Sequence, residues 1–184
     1  MNKKITFMLD MDGVCCDWVK AGLKSVGKEE LIGTWRNGAK DLGQLTGLSY
    51  AEIWEKIDAE GSNWWRTLEE YSWFWELYNK LKERGDVVFC TSPSWDPNCH
   101  KGKLEWLHDR FGRSFRDYIF TNRKFYVAKD NTILIDDNDQ QCEDFVAHGG
   151  KAVLFPQLWN KTHGNPYAQF EKVRYVMDVL KEQL

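Results

Sequence analysis

Asp10 and Asp12 stand two residues apart at the end of a short apolar run, Ile5 to Leu9, and Gly13 follows them. Alternate residues of an extended chain share a face, so both carboxylates can point at one spot where a strand opens into a loop. A glycine there lets the chain turn sharply. Like charges so close repel each other, and a bound cation or a retained proton is the usual remedy. Three later stretches repeat the pattern of an apolar run ending in polar groups. Asp86 to Thr91 leads into Ser92 and Pro93, Tyr118 to Thr121 is followed by Lys124, and Thr132 to Asp137 ends in the pair Asp136 and Asp137. Oxygen-only ligands favour Mg²⁺ over zinc or copper, and Mg²⁺ keeps waters while also taking a substrate phosphate. One carboxylate can then attack phosphorus and carry it as an aspartyl-phosphate. A second, if protonated, can give its proton to the leaving oxygen and later activate water. Thr91 and nearby backbone N–H groups can hold phosphate oxygens, and a lysine can offset the charge of the nucleophile and the transferring group. Lys124 has the right position for that lysine; Lys129, nearer the fourth run, competes with it.

The elements that must position these groups alternate. Residues 17 to 31 read as a helix, and 33 to 47 as a glycine-rich irregular connection. Ser49 and Glu52 form a capping-box pattern that starts a helix running to Ala59. Gly61 breaks the chain before Trp64 and Trp65, and residues 71 to 84 form a further helix that Gly85 can close. Beyond the strand at 86 come a helix at 104–111, a strand at 118–121, a strand at 132–137, a helix at 139–148, a strand at 151–155 and a closing helix at 170–184. Strands alternating with helices from residue 86 onward predict an α/β, Rossmann-like parallel sheet with helices on both faces. Ligands bind such sheets beyond the carboxyl ends of the strands. Asp10, Thr91, Lys124, Asp136 and Asp137 all fall at or just after those ends.

The chain has 184 residues, enough for one domain with a full core or for a core plus a small insertion. A net charge of −3 gives no sign of a nucleic-acid or membrane surface. No run of about 18 apolar residues suggests a membrane span, and no signal-peptide pattern opens the sequence. The five cysteines make no CxxC pair, which argues against a zinc or redox motif and fits a reducing, cytoplasmic setting. Cys15 and Cys16 read as loop and core residues beside the site, and Cys99-His100 has no second pair to complete a metal site. Ten tryptophans are more than core filling explains, and several gather between Trp54 and Trp75.

Asp10-Met-Asp12-Gly-Val, Thr91-Ser-Pro, Lys124 and Ile135-Asp-Asp137 resemble the four ordered motifs of the haloacid dehalogenase-like phosphatase superfamily. Within it the chain is similar to the 5′(3′)-deoxyribonucleotidases, on Asp10 to Val14 with Asp17-Trp18 behind it, Phe89-Cys-Thr-Ser-Pro93 and Leu134 to Asp137. The resemblance implies Asp10 as nucleophile and Asp12 as general acid/base. It implies Mg²⁺ held by Asp10, the backbone carbonyl of Asp12, Asp137 and Asp136, with Thr91, Ser92, Lys124 and Lys103 on the phosphate. It also implies a core of residues 1–15 and 81–184, and a helical cap of residues 16–80 inserted after the first strand. Trp18, Trp64 and Trp65 would line a pocket for the base. The substrate implied is a small nucleotide, with neither nucleic acid nor membrane as partner and a homodimer left open. Ser94 to His100 departs from the more basic stretch the family carries there. Two other readings of the same residues are a phosphatase of another small ester, such as a sugar phosphate, and a phosphoacceptor signalling domain. The second fits poorly, since a signalling receiver needs its acidic pair and separate acceptor aspartate in another order and carries no cap insertion.

Overall fold

The computed structural model describes residues 4–35, 39 and 41–184. Strands β1 (Thr6–Leu9), β2 (Asp86–Thr91), β3 (Tyr118–Phe120), β4 (Thr132–Asp136) and β5 (Lys151–Leu154) form one sheet in the order β3-β2-β1-β4-β5. Every pairing is parallel, and Leu9 of the central strand lies level with Phe89 on one side and Ile135 on the other. The helices in chain order are α1 (Trp18–Ser25), α2 (Leu42–Thr46), α3 (Tyr50–Ala59), α4 (Gly61–Arg66), α5 (Phe74–Lys82), α6 (Pro97–Phe111), α7 (Asp139–Ala147), α8 (Pro166–Phe170) and α9 (Lys172–Gln183).

Strands of a parallel sheet are buried on both faces and therefore read as apolar runs. All five residues of β4 are buried. Side chains alternate between the faces. Met8, Cys90 and Leu134 pack with Phe145 of α7. Phe89, the residue before Cys90, points the other way, with Phe74 and Tyr78 of α5 at ring-centroid distances of 6.4 and 6.1 Å. Helices α5 and α7 thus cover opposite faces, as the alternating pattern predicts. Phe7, Leu9, Phe89, Ile133 and Ile135 are fully buried. Each such side chain contributes about 1.5–3 kcal/mol relative to exposure, which fixes the strand ends where the polar residues begin.

The chain divides into two compact units. One comprises Met1–Cys16, Glu70–Ser92 and Asp117–Leu184 and holds the sheet with α5, α7, α8 and α9. The other comprises Asp17–Glu69 and Pro93–Arg116 and holds α1 to α4 and α6. Residues 70–80, expected in the cap, thus supply α5 to the sheet unit, because Phe74 and Tyr78 pack on Phe89. Residues 93–116, expected in the core, supply α6 to the helical unit. There Gly102 brings α6 against α4, since a Cβ on it would lie 2.2 Å from the Ser62 carbonyl oxygen and 2.4 Å from Trp65 Cβ.

Local chemistry explains the element ends. The Ser49–Glu52 capping box forms as the sequence predicts. The helix expected over 17–31 stops at Ser25 because Gly27 adopts φ +66°, and a 3₁₀ turn at Glu29–Leu31 follows. Helix α6 starts at Pro97 and not Leu104, with the Asp96 carboxylate accepting from Asn98 N at 2.9 Å. The closing helix is preceded by the short α8, and the two meet at Glu171. Residues 36–38 and 40, within the stretch read as irregular, lie outside the described residues. Among the described residues no helix is long and apolar enough to cross a membrane.

Candidate active site

The register of the sheet assembles the site. With Leu9 level with Ile135, the next residues, Asp10 and Asp136, leave adjacent strand ends side by side, and Asp10 N donates to the Ile135 carbonyl at 3.0 Å. Asp137 follows on the loop that Asn138 turns into α7 by capping Gln141 N at 3.0 Å. Carboxylate oxygens of Asp10, Asp136 and Asp137 all lie within 4.8 Å of one another, and all three residues are buried. Lys124 enters from a 3₁₀ turn, Lys124–Val127, and is 1% exposed. Its Nζ lies 2.5 Å from Asp136 Oδ2 and 2.8 Å from Asp10 Oδ1. Lys129, the competing lysine, is exposed, and its backbone pairs with Thr132: its N–H donates to Thr132 Oγ1 at 2.8 Å and its carbonyl accepts from Thr132 N at 3.0 Å.

The turn after β1 is tight. The Met11 carbonyl accepts from both Cys15 N and Cys16 N, and Gly13 N donates to Cys16 O at 3.0 Å. Gly13 sits at φ +76°, and a Cβ there would come within 2.2 Å of Asp137 Oδ2. Both the backbone and the space demand glycine. Asp12 is half-buried at this turn, and its Oδ1 accepts the Cys16 thiol at 3.6 Å. Cys15, also buried, directs its thiol to the Asp10 carbonyl at 3.0 Å. Thr91 ends β2 fully buried, its carbonyl accepting from Thr121 N at 3.0 Å, and Ser92 Oγ donates to the Thr121 carbonyl at 3.3 Å.

Three carboxylates around one ammonium leave an excess of negative charge. Burial lowers the affinity of the Lys124 amine for its proton, but the adjacent Asp10 and Asp136 charges more than reverse this and hold it firmly as ammonium. Burial pushes the Asp136 carboxyl up to about 6 against the opposing pull of Lys124. Burial and then the Asp136 charge raise Asp137 well above the usual carboxylate range, with the Trp159 indole acting in the other direction. Asp10 Oδ1 is buried and, although Lys124 lies 2.8 Å away, no donor is aligned on it as a hydrogen bond. An under-satisfied buried oxygen within a set of hard oxygen donors fits a divalent cation such as Mg²⁺.

The loop after β5 supplies partners that the motif pattern did not single out. Trp159 Nε1 donates to Asp137 Oδ2 at 2.6 Å. Asn160 Nδ2 donates to the carbonyls of Asp137 and Phe155, both at 2.8 Å, and the buried Gln157 amide donates to the Gly13 carbonyl. His163 Nδ1 lies 2.5 Å from the Leu158 carbonyl oxygen. Applying to β5 the rule that ligands gather beyond strand ends would have drawn attention to 156–162.

Lys103, Trp18, Trp64 and Trp65 belong to the helical unit. Lys103 is fully buried on α6, and its Nζ stands 5.2 Å from the Trp65 ring centroid. Trp64 and Trp65 meet edge to face at 4.7 Å, and Trp54 stacks on Trp65 at 6.2 Å. Trp64 Nε1 donates to Ser25 Oγ at 2.8 Å, whereas Trp65 Nε1 is buried without a hydrogen-bond partner. Trp18 opens α1 and is half-buried. Cys99, beside His100, is a buried free thiol that accepts from Ser94 N at 3.3 Å.

Solved structures share this architecture. A haloacid dehalogenase-like family hydrolase from Xanthomonas campestris superposes with a TM-score of 0.54 at 14% identity, over 84% of each chain. A hydrolase from Streptococcus pneumoniae gives 0.52 at 14% identity, over 88% of this chain and 98% of that one. A HAD-hydrolase from Bacillus subtilis, bound to magnesium, gives 0.51 at 12% identity, over 82% of this chain and 86% of that one. The fold is that of the haloacid dehalogenase-like hydrolases. No curated protein matches the sequence. The model of the family described as 5′ nucleotidase, deoxy (pyrimidine), cytosolic type C protein (NT5C) matches residues 3–177, and the chain belongs to that family of phosphoric monoester hydrolases.

Proposed function

We propose that the protein is a Mg²⁺-dependent phosphatase that hydrolyses deoxynucleoside monophosphates to nucleoside and phosphate. The observation that carries this reading is the convergence of Asp10, Asp136 and Asp137 with Lys124 at the carboxyl edge of the sheet, in a chain of the nucleotidase family. Asp10, Asp136, Asp137 and the Asp12 carbonyl would hold Mg²⁺, which when bound supplies positive charge to the phosphate oxygens. A carboxylate oxygen of Asp10 attacks phosphorus, forming an aspartyl-phosphate as the bond to the ester oxygen breaks. Asp12 delivers its proton to that departing oxygen. It then takes a proton from the water that attacks phosphorus and frees Asp10 and phosphate. Lys124 offsets charge on Asp10 and on the transferring group, while Thr91 and Ser92, with Lys103, hold phosphate oxygens. Trp18, Trp64 and Trp65 serve the base, whose stacking on an indole is worth about 1–3 kcal/mol.

The test is phosphate release from thymidine and deoxyuridine 5′-monophosphates, the matching ribonucleotides and a sugar phosphate, with Mg²⁺ or with a chelator. Release that needs Mg²⁺, favours the deoxynucleotides and vanishes in Asp10→Asn is the expected result. Release from the sugar phosphate alone would keep the chemistry and overturn the nucleotide assignment. Near wild-type turnover by Asp10→Asn would overturn the mechanism.

A further inference from the structure

We propose that Trp159 is a positioning residue for the catalytic cation: its indole N–H fixes the Asp137 carboxylate in the orientation that metal binding requires. This rests on the Mg²⁺ reading above. A carboxylate at a strand end can rotate about two side-chain torsions, and a cation needs one of its oxygens held toward the other ligands. Trp159 Nε1 engages Asp137 Oδ2 at 2.6 Å, a distance typical of a charge-assisted bond. Asp137 Oδ1 accepts no hydrogen bond among the described residues and is the oxygen left to the ion. Gly13 closes the third side, since a Cβ there would meet Asp137 Oδ2 at 2.2 Å and the Trp159 ring at 3.1 Å. The carboxylate therefore has one place to lie.

The loop that presents the indole is itself anchored. Asn160 ties it to the backbone of Asp137 and Phe155, each at 2.8 Å. Its Oδ1 accepts from Thr162 N and Oγ1 at 3.1 and 2.7 Å, and Gln169 Nε2 reaches Thr162 Oγ1 at 3.0 Å. Gln157, Asn160 and Thr162 are all buried, and Gln157 reaches back to Gly13 in the turn after β1. A polar loop this completely satisfied holds one geometry, which is what orienting a ligand needs. A tryptophan that merely filled space would not require its N–H on a carboxylate.

The experiment is a Mn²⁺ titration of the apo-protein, following the free aquo-ion by electron paramagnetic resonance, with wild type, Trp159→Phe, Trp159→His and Asp137→Asn. Removing a partner of a metal ligand typically weakens binding about 10–100-fold. Trp159→Phe is expected to bind Mn²⁺ at least tenfold more weakly, and Trp159→His, which keeps a ring N–H, to recover part of the loss. A packing role alone would lower the melting temperature of the apo-protein and leave Mn²⁺ affinity unchanged, and that outcome overturns the proposal. Wild type that binds no Mn²⁺, or Asp137→Asn that binds it as wild type does, would instead overturn the metal-site reading beneath it. If Trp159→Phe does not fold, wild type labelled at its indole nitrogens decides. Sub-stoichiometric Mn²⁺ must broaden one indole N–H signal ahead of all others, and uniform or absent broadening overturns the assignment.

Discussion

Replacing Lys124 with methionine removes the positive charge while keeping a long unbranched chain. The ammonium lies 2.8 Å from Asp10 Oδ1 and 2.5 Å from Asp136 Oδ2, and both carboxylates are buried. At an effective dielectric constant of about 20, unit charges at such separations attract by roughly 6 kcal/mol per pair. Desolvating each ion offsets several kcal/mol of that. Breaking a buried pair by removing one partner therefore costs about 3–5 kcal/mol, because the other charges remain buried. For a chain of this size each kcal/mol moves the melting temperature by roughly 2–4 °C, so the apo-variant should melt roughly 6–20 °C below the apo-wild type. The assay is thermal unfolding in a chelator and in excess Mg²⁺ at pH 7.5, above the value near 6 at which Asp136 ionises. A bound divalent ion would supply part of the missing charge, so Mg²⁺ should raise the melting temperature of Lys124→Met more than that of wild type. A variant that melts within about 2 °C of wild type in chelator would refute the reasoning by the stated scale. It would mean that protons, and not Lys124, neutralise the carboxylates.

Gly13→Ala should cost about 1–2 kcal/mol for its left-handed backbone alone, and its methyl must displace the Asp137 carboxylate. Activity should fall well beyond what the melting temperature suggests, and a variant with normal turnover would contradict the tight approach. A pH effect follows from Asp136, held near 6 in the folded protein against about 3.9 for an ordinary aspartate. The folded state binds that proton more tightly, so its contribution to stability is full below pH about 4 and is lost as pH rises through about 6. In chelator, Asp136→Asn should therefore gain stability relative to wild type across that window, and a relative loss there would reverse the sign of the argument. The same protons compete with a cation, so Mn²⁺ affinity of wild type should rise over the same interval.

The motif residues were legible because each is the polar end of an apolar run, and a parallel sheet brings such ends to one edge. Asp10 and Asp136 needed nothing more, since the register pairing Leu9 with Ile135 sets them side by side. Lys124 was legible only as one of two lysines, because a 3₁₀ turn leaves no periodic pattern and burial had to separate it from Lys129. Trp159 and Asn160 escaped notice because their partners lie 22 and 23 residues away, in a loop whose polarity suggested solvent. Their burial comes from tertiary pairing that no local pattern announces. The early start of α6 is encoded in Asp96 and Pro97 as cap and first residue, whereas the apolar periodicity begins only at Leu104. Helix α1 ends early for a reason periodicity ignores, the positive φ of Gly27.

The central place of β1 also has a consequence in time. Thr6 pairs with Asp86 and with Thr132, residues far along the chain from it. Four residues of mostly apolar sequence, Thr-Phe-Met-Leu, thus have no strand partner until Asp86–Phe89 is synthesised, and no second one until Thr132–Ile135 follows. Loop closure over such spans makes the sheet slow to form. Until it closes, both edges of this strand stand open to other chains, and the polar residues at its end have no neighbours to define a site. The arrangement that sets Asp10 beside Asp136 is thus complete only once the segment from Thr132 has joined the sheet.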